Sequence, residues 1–270
     1  MTGPLVVKIG GRVAADPGAV LDDLAGLAGC GTPTVLVHGG GTAVDELCGS
    51  LGVGVRRYVS ASGVISRATD PATLDAVLMA LAGRVKPALV SGLQSRGVRA
   101  AGLTGLDAGT VCARRKTALR VRDGERVRVV RDDLTGRIVD VSVRLLTLLL
   151  ADGVVPVLSP PALGEDGPLN VDADRLAARV AAALGARCLV FLTDVPGVLR
   201  DPADPSSVLA RLDAHSPGEL VATGGMRQKL LAGREALDAG VARLVIGSGL
   251  RADPVRSALA GAGTVVEPCR

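Results

Sequence analysis

Glycine-rich segments follow two short apolar runs near the start of the chain and carry the first residues suited to chemistry. Residues 5–11 read Leu-Val-Val-Lys-Ile-Gly-Gly, and residues 35–41 read Val-Leu-Val-His-Gly-Gly-Gly. A glycine lets backbone N–H groups approach a ligand that a side chain would keep away. Lys8 adds a compact positive charge, so the two strand ends are suited to phosphate. The alternative is two ordinary turns after core strands, with Lys8 in solvent. His38 is interpreted as a turn histidine bonded to the backbone rather than as a catalytic residue.

Further candidate residues lie near predicted helix starts. Residues 170–174 read Asn-Val-Asp-Ala-Asp, where Asp174 can either cap a helix or hold two lysines by charge pairing. Residues 224–229 read Gly-Gly-Met-Arg-Gln-Lys and bring free amides and Lys229 to one helix end. Arg67 precedes another predicted helix, where its guanidinium can bind a carboxylate or simply lie in solvent.

Strand-like and helix-like segments alternate along the sequence. Aspartate followed by proline starts predicted helices at Asp16 and Asp70, and Thr42 is expected to cap the helix after the second glycine segment. Apolar spacing predicts a hairpin or irregular segment at 54–67 and helices at 141–150 and near 216–222. The alternation indicates an α/β protein, a three-layer αβα sandwich with a mainly parallel open sheet.

Composition narrows the class of protein. The chain has 270 residues, of which 48% are hydrophobic, so it can bury a large core as one domain or two lobes. No apolar run approaches the roughly 20 residues of a membrane span, and the N-terminus lacks a signal-peptide pattern. The 5 cysteines are scattered without CxxC spacing, which argues against a disulfide framework or a zinc site. We therefore expect a cytoplasmic protein with no membrane contact and no metal ligands of its own.

Positive charge is concentrated in one segment. Lys and Arg total 31 against 27 Asp and Glu, but residues 114–131 hold 8 basic and 2 acidic residues. An Asp-Gly pair at 123–124 predicts a hairpin, and we expect the basic residues to lie on it. Tyr58 and Phe191 are the only aromatic residues, so nucleic acid is disfavoured and an acidic protein is the better partner. The alternative is an edge ribbon protected by charge.

Taken together, the motifs resemble the amino acid kinase family, and in particular its N-acetylglutamate kinase branch. Five segments occur in the family order: 5–11, 35–41, 170–174, 192–198 (Leu-Thr-Asp-Val-Pro-Gly-Val) and 224–229. Within that branch the chain is more similar to kinases whose substrate is attached to a LysW-type amino-group carrier protein. The segments that carry this similarity are 66–70, 102–107 and 114–118.

The resemblance implies an acetylglutamate kinase-like fold and an activity. An N-terminal lobe, residues 1–166, would bind the acyl substrate and the carrier and form a homodimer, and a C-terminal lobe, residues 167–270, would bind ATP. The implied reaction is ATP-dependent phosphorylation of the side-chain carboxylate of carrier-bound 2-aminoadipate or glutamate, giving an acyl phosphate in lysine- or arginine-type biosynthesis. One alternative is an N-acetylglutamate kinase acting on free N-acetyl-L-glutamate, although Thr42 stands where those enzymes commonly have proline. A third hypothesis, of a different class, is a nonenzymatic nucleotide sensor or polyanion-binding module.

The resemblance also implies roles for single residues. Lys8 and Lys229 would neutralise the transferring phosphoryl group, with Asp174 orienting both, and Mg²⁺ would bridge the ATP phosphates largely through water. The substrate-binding residues would be Gly40, Gly41, Arg67 and Asn170. The ATP-binding residues would be Lys8, Gly10, Gly11, Thr193, Asp194, Val195, Gly197, Leu199, Gly225, Met226 and Lys229. The carrier-binding residues would be Arg114, Arg115, Lys116, Arg120 and Arg122.

Overall fold

The computed structural model describes residues 3–60, 65–123, 126–215 and 224–267. Its helices are α1 (Gly11–Ala15), α2 (Gly18–Gly29), α3 (Gly41–Ser50), α4 (Pro71–Leu78), α5 (Lys86–Gln94), α6 (Arg144–Ala151), α7 (Ala173–Ala183), α8 (Gly224–Asp238) and α9 (Pro254–Leu259). The strands are β1 (Leu5–Ile9), β2 (Thr34–His38), β3 (Arg57–Ser60), β4 (Ile65–Arg67), β5 (Ala100–Thr104), β6 (Val111–Arg115), β7 (Leu119–Asp123), β8 (Arg126–Val130), β9 (Gly136–Val141), β10 (Val155–Ser159), β11 (Ala162–Gly164), β12 (Gly167–Leu169), β13 (Cys188–Thr193), β14 (Arg211–Asp213), β15 (Leu244–Ser248) and β16 (Thr264–Glu267). The predicted helix near 216–222 lies outside the described residues.

The central sheet has 8 strands in the order β14-β16-β15-β13-β1-β2-β10-β5, and only the β15–β16 pairing is antiparallel. Along β1, Val6 faces one apolar core while Val7 faces the other. Helices α2, α5 and α9 cover one face of the sheet and α6, α7 and α8 cover the other. Strands buried on both faces read as unbroken apolar runs, as β1 and β2 do. The predicted three-layer α/β architecture with a mainly parallel sheet is confirmed.

Two smaller sheets of 4 strands divide the basic segment between them. One has the order β12-β11-β6-β9, and the other is the antiparallel sheet β4-β3-β7-β8. The predicted hairpins at 54–67 and around 123–124 are confirmed as β3–β4 and β7–β8. The expectation that all the basic residues lie on one hairpin is wrong, because Arg114 and Arg115 belong to β6, which pairs with β9. Strand β9 was not predicted, because its last residue, Val141, fits the apolar pattern of the helix that follows.

Three helix starts test the capping predictions. Asp70 caps α4, and its side chain accepts a hydrogen bond from Thr73 N at 2.8 Å, as predicted. The expectation for Thr42 is wrong, because α3 begins at Gly41 and its N-cap is Gly40, two residues before Thr42. Glycine has no side chain to accept a hydrogen bond. Asp16 makes no capping hydrogen bond either, since Pro17 holds the N-cap position of α2.

The helical run Pro71–Gln94 joins α4 to α5 through a π-helical turn, Met79–Val85. Among the described residues this run is long and apolar enough to cross a membrane, judged by length and composition alone. In the folded chain it packs against α3, α2 and β5. Pro87 lies just after the π-helical turn and cannot donate a backbone hydrogen bond, which is a recognised cause of such irregular turns.

Candidate active site

Two ammonium groups from opposite ends of the chain meet on one carboxylate. Lys8 Nζ lies 2.5 Å from Asp174 Oδ1, and Lys229 Nζ lies 3.1 Å from Asp174 Oδ2. Lys8 and Asp174 are both about 95% buried, and Lys229 projects from the first turns of α8. Burial opposes ionisation of Asp174, but the charges of Lys8 and Lys229 outweigh it and hold the pKa of this carboxyl below its usual value. The result is a pair of positive charges held at fixed positions.

The capping alternative for Asp174 is wrong. Asp172 holds the N-cap position of α7, and its side chain accepts a hydrogen bond from Arg175 N at 2.8 Å. Asp174 lies in the first helical turn instead and is therefore free to bridge the two lysines. The sequence allowed Asp174 either to cap a helix or to pair with two lysines, and in the structure it pairs with Lys8 and Lys229.

Glycines at the ends of β1 and β2 leave room that side chains would fill. A Cβ added to Gly10 would lie 2.8 Å from Lys8 Nζ, and one added to Gly40 would lie 2.7 Å from Leu81 Cδ2. Gly11 has a φ of 55°, a left-handed conformation that glycine adopts without strain. Gly10, at the end of β1, therefore lies beside the Lys8 ammonium group, in an arrangement suited to an anion.

Arg67 is held across the start of α3. Its guanidinium pairs with Asp45 and donates a second hydrogen bond to Gly41 O at 2.9 Å. The side chain is only 13% exposed, so the alternative of a solvated surface arginine is wrong. Asp45 also pairs with Arg57 at 2.6 Å. Arg67 thus presents a fixed positive charge next to the glycine segment at 39–41.

Asn170 belongs to a second buried network beside Arg67. Its Nδ2 donates to Thr69 Oγ1 at 3.0 Å, and Thr69 N donates to Asp133 Oδ2 at 2.8 Å. Asp133 is 3% exposed and also pairs with Thr135. Asn170 and Arg67 therefore come to one region, as a shared substrate-binding role requires.

The predicted nucleotide-binding residues fall into two groups. Thr193 ends β13, which lies next to β1 in the sheet, and Asp194 follows it. Gly225 and Met226 lie in the first turn of α8, and Lys229 lies in the next turn. Gly197 has a packing reason of its own, because a Cβ there would lie 2.8 Å from Thr264 Oγ1. The remaining members, Val195 and Leu199, are half-buried in the same loop.

The predicted carrier-binding residues lie on different elements and differ in burial. Arg120 and Arg122 are exposed on β7, and Arg114 is exposed on β6 in the other small sheet. Arg115 Nε donates to Asp133 O at 2.9 Å. Lys116 is half-buried, and burial together with the charge of Arg175 lowers its pKa. The structure separates these five residues by sheet and by exposure.

His38 is a core residue whose side chain bonds to the backbone. Its Nδ1 lies 2.9 Å from Gly39 O, so the predicted backbone bond is confirmed. The side chain is fully buried, and burial lowers its pKa to about 4. Within the described ranges no cluster of three or more His, Cys, Asp or Glu side chains could hold a metal ion.

With this geometry described, comparison with known proteins gives the family. The model of the amino acid kinase family matches residues 3–248. The chain belongs to the amino acid kinase family. This kinase is 40% identical over 265 residues to the LysW-aminoadipate kinase of Deinococcus radiodurans, across 97% of this chain and 91% of that protein. It is 39% identical to the LysW-aminoadipate kinase of Thermus thermophilus, across 97% of this chain and 99% of that protein.

Solved structures agree with the predicted fold of the kinase. The protein smu.665 of Streptococcus mutans has a TM-score of 0.79 and 26% identity, and the match covers 98% of both chains. N-acetylglutamate synthase of Neisseria gonorrhoeae, complexed with coenzyme A and N-acetyl-glutamate, has a TM-score of 0.80 and 25% identity. That match covers 99% of this chain and 60% of the synthase.

Sequence reasoning missed the residues that support the site. The position of Asp45 in the sequence indicates only a favourable charge near the start of α3, whereas in the structure Asp45 fixes Arg67. Thr69 and Asp133, which connect to Asn170, carried no signal, because the two residues are 64 positions apart in sequence. Gln228 donates to Ile65 O at 2.9 Å and so links the start of α8 to β4. Such contacts depend on tertiary structure, which local patterns do not encode.

Proposed function

We propose that this kinase transfers the γ-phosphoryl group of ATP to the side-chain carboxylate of 2-aminoadipate or glutamate attached to an acidic, LysW-type carrier protein. The observation that carries the proposal is the Lys8–Asp174–Lys229 bridge. Its relatives, the LysW-aminoadipate kinases, supply the substrate class. The product is an acyl phosphate of lysine- or arginine-type biosynthesis.

In the proposed mechanism the protein positions two anions and neutralises their charge. Lys8 and Lys229 stabilise negative charge on the transferring phosphoryl group, and Asp174 fixes where the two ammonium groups lie. Backbone amides at Gly10, Gly11 and Gly40 donate to phosphate or carboxylate oxygens. The carboxylate attacks the phosphorus directly, so the enzyme forms no covalent intermediate.

The remaining predicted residues bind the two substrates. Arg67 binds the α-carboxylate of the acyl group, with Gly40, Gly41 and Asn170 beside it. The nucleotide lies against the loop that follows β13 and against Gly225 and Met226. Mg²⁺ would be held by the ATP phosphates and water, which fits both its reluctance to lose water and the lack of a carboxylate and histidine cluster in the described ranges.

The organisation of the chain belongs to the same proposal. Residues 1–166 form the lobe for the acyl substrate and the carrier, and residues 167–270 form the ATP lobe. We also propose a homodimer formed through the N-terminal lobe and a cytoplasmic location, without nucleic acid or membrane partners.

One observation favours a second candidate, an N-acetylglutamate kinase that acts on the free compound. The similar synthase from Neisseria gonorrhoeae was solved with N-acetyl-glutamate. The two candidates use the same phosphoryl chemistry and differ in the acceptor.

The deciding experiment measures acyl phosphate formation with ATP, Mg²⁺ and one acceptor at a time. The acceptors are a purified LysW-type carrier loaded with aminoadipate, the same carrier loaded with glutamate, and free N-acetylglutamate. Turnover on a loaded carrier alone supports the proposal, and turnover on N-acetylglutamate alone supports the second candidate. Lys229→Ala should abolish turnover, whereas Arg99→Ala, at an exposed residue paired with Asp152, should not. Failure of every acceptor with folded wild-type enzyme would reject both candidates.

A further inference from the structure

Thr69 connects the two side chains proposed to bind the acyl substrate, Arg67 and Asn170. It is fully buried in the link between β4 and α4. Its hydroxyl donates a hydrogen bond to Arg67 O at 3.3 Å and accepts one from Asn170 Nδ2 at 3.0 Å. One hydroxyl group therefore joins the strand that carries Arg67 to the segment that carries Asn170.

These two hydrogen bonds determine which way the amide of Asn170 points. A hydroxyl has one hydrogen to donate, and that of Thr69 is donated to Arg67 O, so its lone pairs face Asn170. Asn170 must then turn its NH2 group, and not its carbonyl oxygen, toward Thr69. The second N–H of that group and Oδ1 form no hydrogen bond with any residue that the structure describes, so both remain for the substrate. Without the hydroxyl the amide could rotate, and the donor and the acceptor would exchange places.

A buried carboxylate holds the backbone of Thr69 in place. Asp133 Oδ2 accepts a hydrogen bond from Thr69 N at 2.8 Å, and Asp133 Oδ1 accepts one from Thr135 N at 2.9 Å. Leu134 N donates in turn to Thr69 O at 2.7 Å, so both backbone groups of Thr69 are bonded to one segment. A carboxylate accepts hydrogen bonds on both oxygens, whereas an asparagine amide of the same size accepts on one only. The two contacts of Asp133 therefore require an aspartate.

The segment 133–136 that carries this carboxylate is itself fixed by its neighbours. Arg115 Nε donates to Asp133 O at 2.9 Å, and Lys116 N donates to another carbonyl oxygen of the segment at 3.0 Å. The main chain of Asn170 forms two further hydrogen bonds with the segment, one as donor and one as acceptor. Arg115 and Lys116 thus support the acyl-binding residues from behind, although the sequence predicted them as carrier contacts.

We propose that Thr69 and Asp133 are positioning residues for the acyl substrate. Asp133 fixes the place of Thr69, and the Thr69 hydroxyl fixes the orientation of the Asn170 amide relative to Arg67. Both act through Asn170 and not by contact with the substrate. The inference rests on the proposed function and deepens it, because it explains how the acyl-binding residues of that function are held.

The first test removes only the hydroxyl group. Thr69→Val keeps the shape of the side chain and loses both hydrogen bonds of the hydroxyl, whereas Thr69→Ser keeps the hydroxyl. The acceptor is the loaded carrier or free N-acetylglutamate, whichever the wild-type enzyme turns over. Thr69→Val should raise the KM for the acceptor about tenfold, with the KM for ATP changed less than about twofold. Thr69→Ser should restore most of the loss.

A double-mutant cycle shows whether Thr69 acts through Asn170. Asn170→Ala removes the amide that the hydroxyl orients. Thr69→Val should therefore lower kcat/KM for the acceptor about tenfold in the wild-type background but less than about twofold in the Asn170→Ala background. Two residues that act independently would instead give the same factor in both backgrounds.

Asp133→Asn tests the step before Thr69. The asparagine NH2 group would face a backbone N–H of either Thr69 or Thr135, donor against donor, although the shape of the side chain is kept. The KM for the acceptor should rise about threefold to tenfold, with the KM for ATP unchanged. Asp132→Asn is the matched control, because Asp132 is the exposed neighbour, and it should change neither KM.

The outcomes separate this inference from the proposed function. An unchanged KM for the acceptor in Thr69→Val would overturn the inference, and so would a tenfold effect of that change in the Asn170→Ala background. A loss of kcat with both KM values unchanged would also overturn it, since a purely structural role predicts that result. If Thr69→Val does not fold in urea denaturation, Thr69→Ala replaces it. If wild-type enzyme turns over no acceptor, the proposed function fails and the inference fails with it.

Discussion

Two buried lysines of this kinase, Lys8 and Lys86, show what a charge needs in a protein interior. Lys8 is 5% exposed and Lys86 is 6% exposed. Lys8 has the Asp174 carboxylate at 2.5 Å, whereas Lys86 forms no hydrogen bond or ion pair with any residue that the structure describes. Burial lowers the pKa of Lys86 to about 8, and the more distant charge of Asp107 opposes this only in part. Equal burial thus gives one paired cation and one that is costly to keep charged.

The packing around Lys86 explains why it stays inside. A Cβ added to Gly102 on β5 would lie 2.8 Å from Lys86 Cδ, so the aliphatic stem fills the space that the glycine leaves. The stem therefore contributes apolar contacts while the ammonium group remains without a close counter-charge.

Removing the Asp174 carboxylate, which pairs with Lys8, should have the largest effect on activity and stability. Asp174→Asn leaves Lys8 and Lys229 close together without a negative charge between them. Activity should fall about 10³-fold because the two cations lose their fixed positions. The free energy of unfolding should fall by about 3–5 kcal/mol, the usual cost of removing one partner from a buried ion pair. Single-turnover kinetics and urea denaturation measure the two effects.

A control for Asp174→Asn is Asp172→Asn at the helix cap. Asparagine also caps helices, so this change should cost less than about 1 kcal/mol. Equal losses in the two variants would show that the bridge contributes no more than the cap does.

Lys86→Met, in contrast, should raise the free energy of unfolding. The folded pKa of about 8 lies below the ordinary value of 10.5, so below pH 8 the folded state carries a buried charge that the unfolded state holds in water. That difference corresponds to about 3 kcal/mol, and methionine should recover about 1–3 kcal/mol of it at pH 7. Between pH 8 and 10.5 the wild-type protein should gain stability, because only the unfolded state still binds the proton there, and Lys86→Met should lose that gain. Urea denaturation across this pH range measures both.

The half-buried Lys116 provides the comparison for Lys86. Lys116→Met should change stability by less than Lys86→Met, because its burial is smaller. A loss of stability in Lys86→Met would mean that the ammonium group makes a contact that folding requires.

Burial of His38 should also make the stability of the protein depend on pH, in this case at acidic pH. The folded pKa of His38 is about 4 against an ordinary 6.5, so between these values only the unfolded state takes up the proton. Stability should therefore fall by up to about 3 kcal/mol as the pH drops from 6.5 to 4. His38→Gln should flatten this slope, and His215→Gln, at an exposed histidine, should keep it. An unaltered slope in His38→Gln would assign the loss to carboxylates.

The smallest effect on catalysis is expected at the pair of Asp45 with Arg67, which is less deeply buried than the pair of Asp174 with Lys8. Asp45→Asn weakens the hold on Arg67 and should raise the KM for the acyl substrate about threefold to tenfold, with the KM for ATP unchanged. Glu46→Gln is the adjacent control, because Glu46 pairs with Arg84 between exposed side chains and should change neither KM. A lower KM in Asp45→Asn would mean that Asp45 competes with the substrate carboxylate for Arg67.

Features that depend on residues close together in the sequence could be predicted from it, whereas features that depend on residues far apart in the sequence could not. The apolar run of β1, the glycines after β1 and β2 and the Asp70 cap are local features, and local rules predicted them. The sheet partner of β6 and the choice between Asp172 and Asp174 as cap depend on residues far away in sequence. Five family motifs in order placed Lys8 and Lys229 in one site, but the supporting contacts of Asp45, Thr69 and Asp133 needed coordinates.

The position of β1 determines when a newly made chain can become active. Its neighbours in the sheet are β2, which follows within thirty residues, and β13, which begins at Cys188. At ribosomal rates of about 5–20 residues per second, β1 waits on the order of ten seconds or more for its second neighbour. Throughout that interval one side of β1 has no strand beside it, and Lys8 has no counter-ion until Asp174 is made. Nascent chains should therefore depend on protection from aggregation until α7 and β13 have emerged, and acquire catalytic competence only after α8, which carries Lys229, has been made.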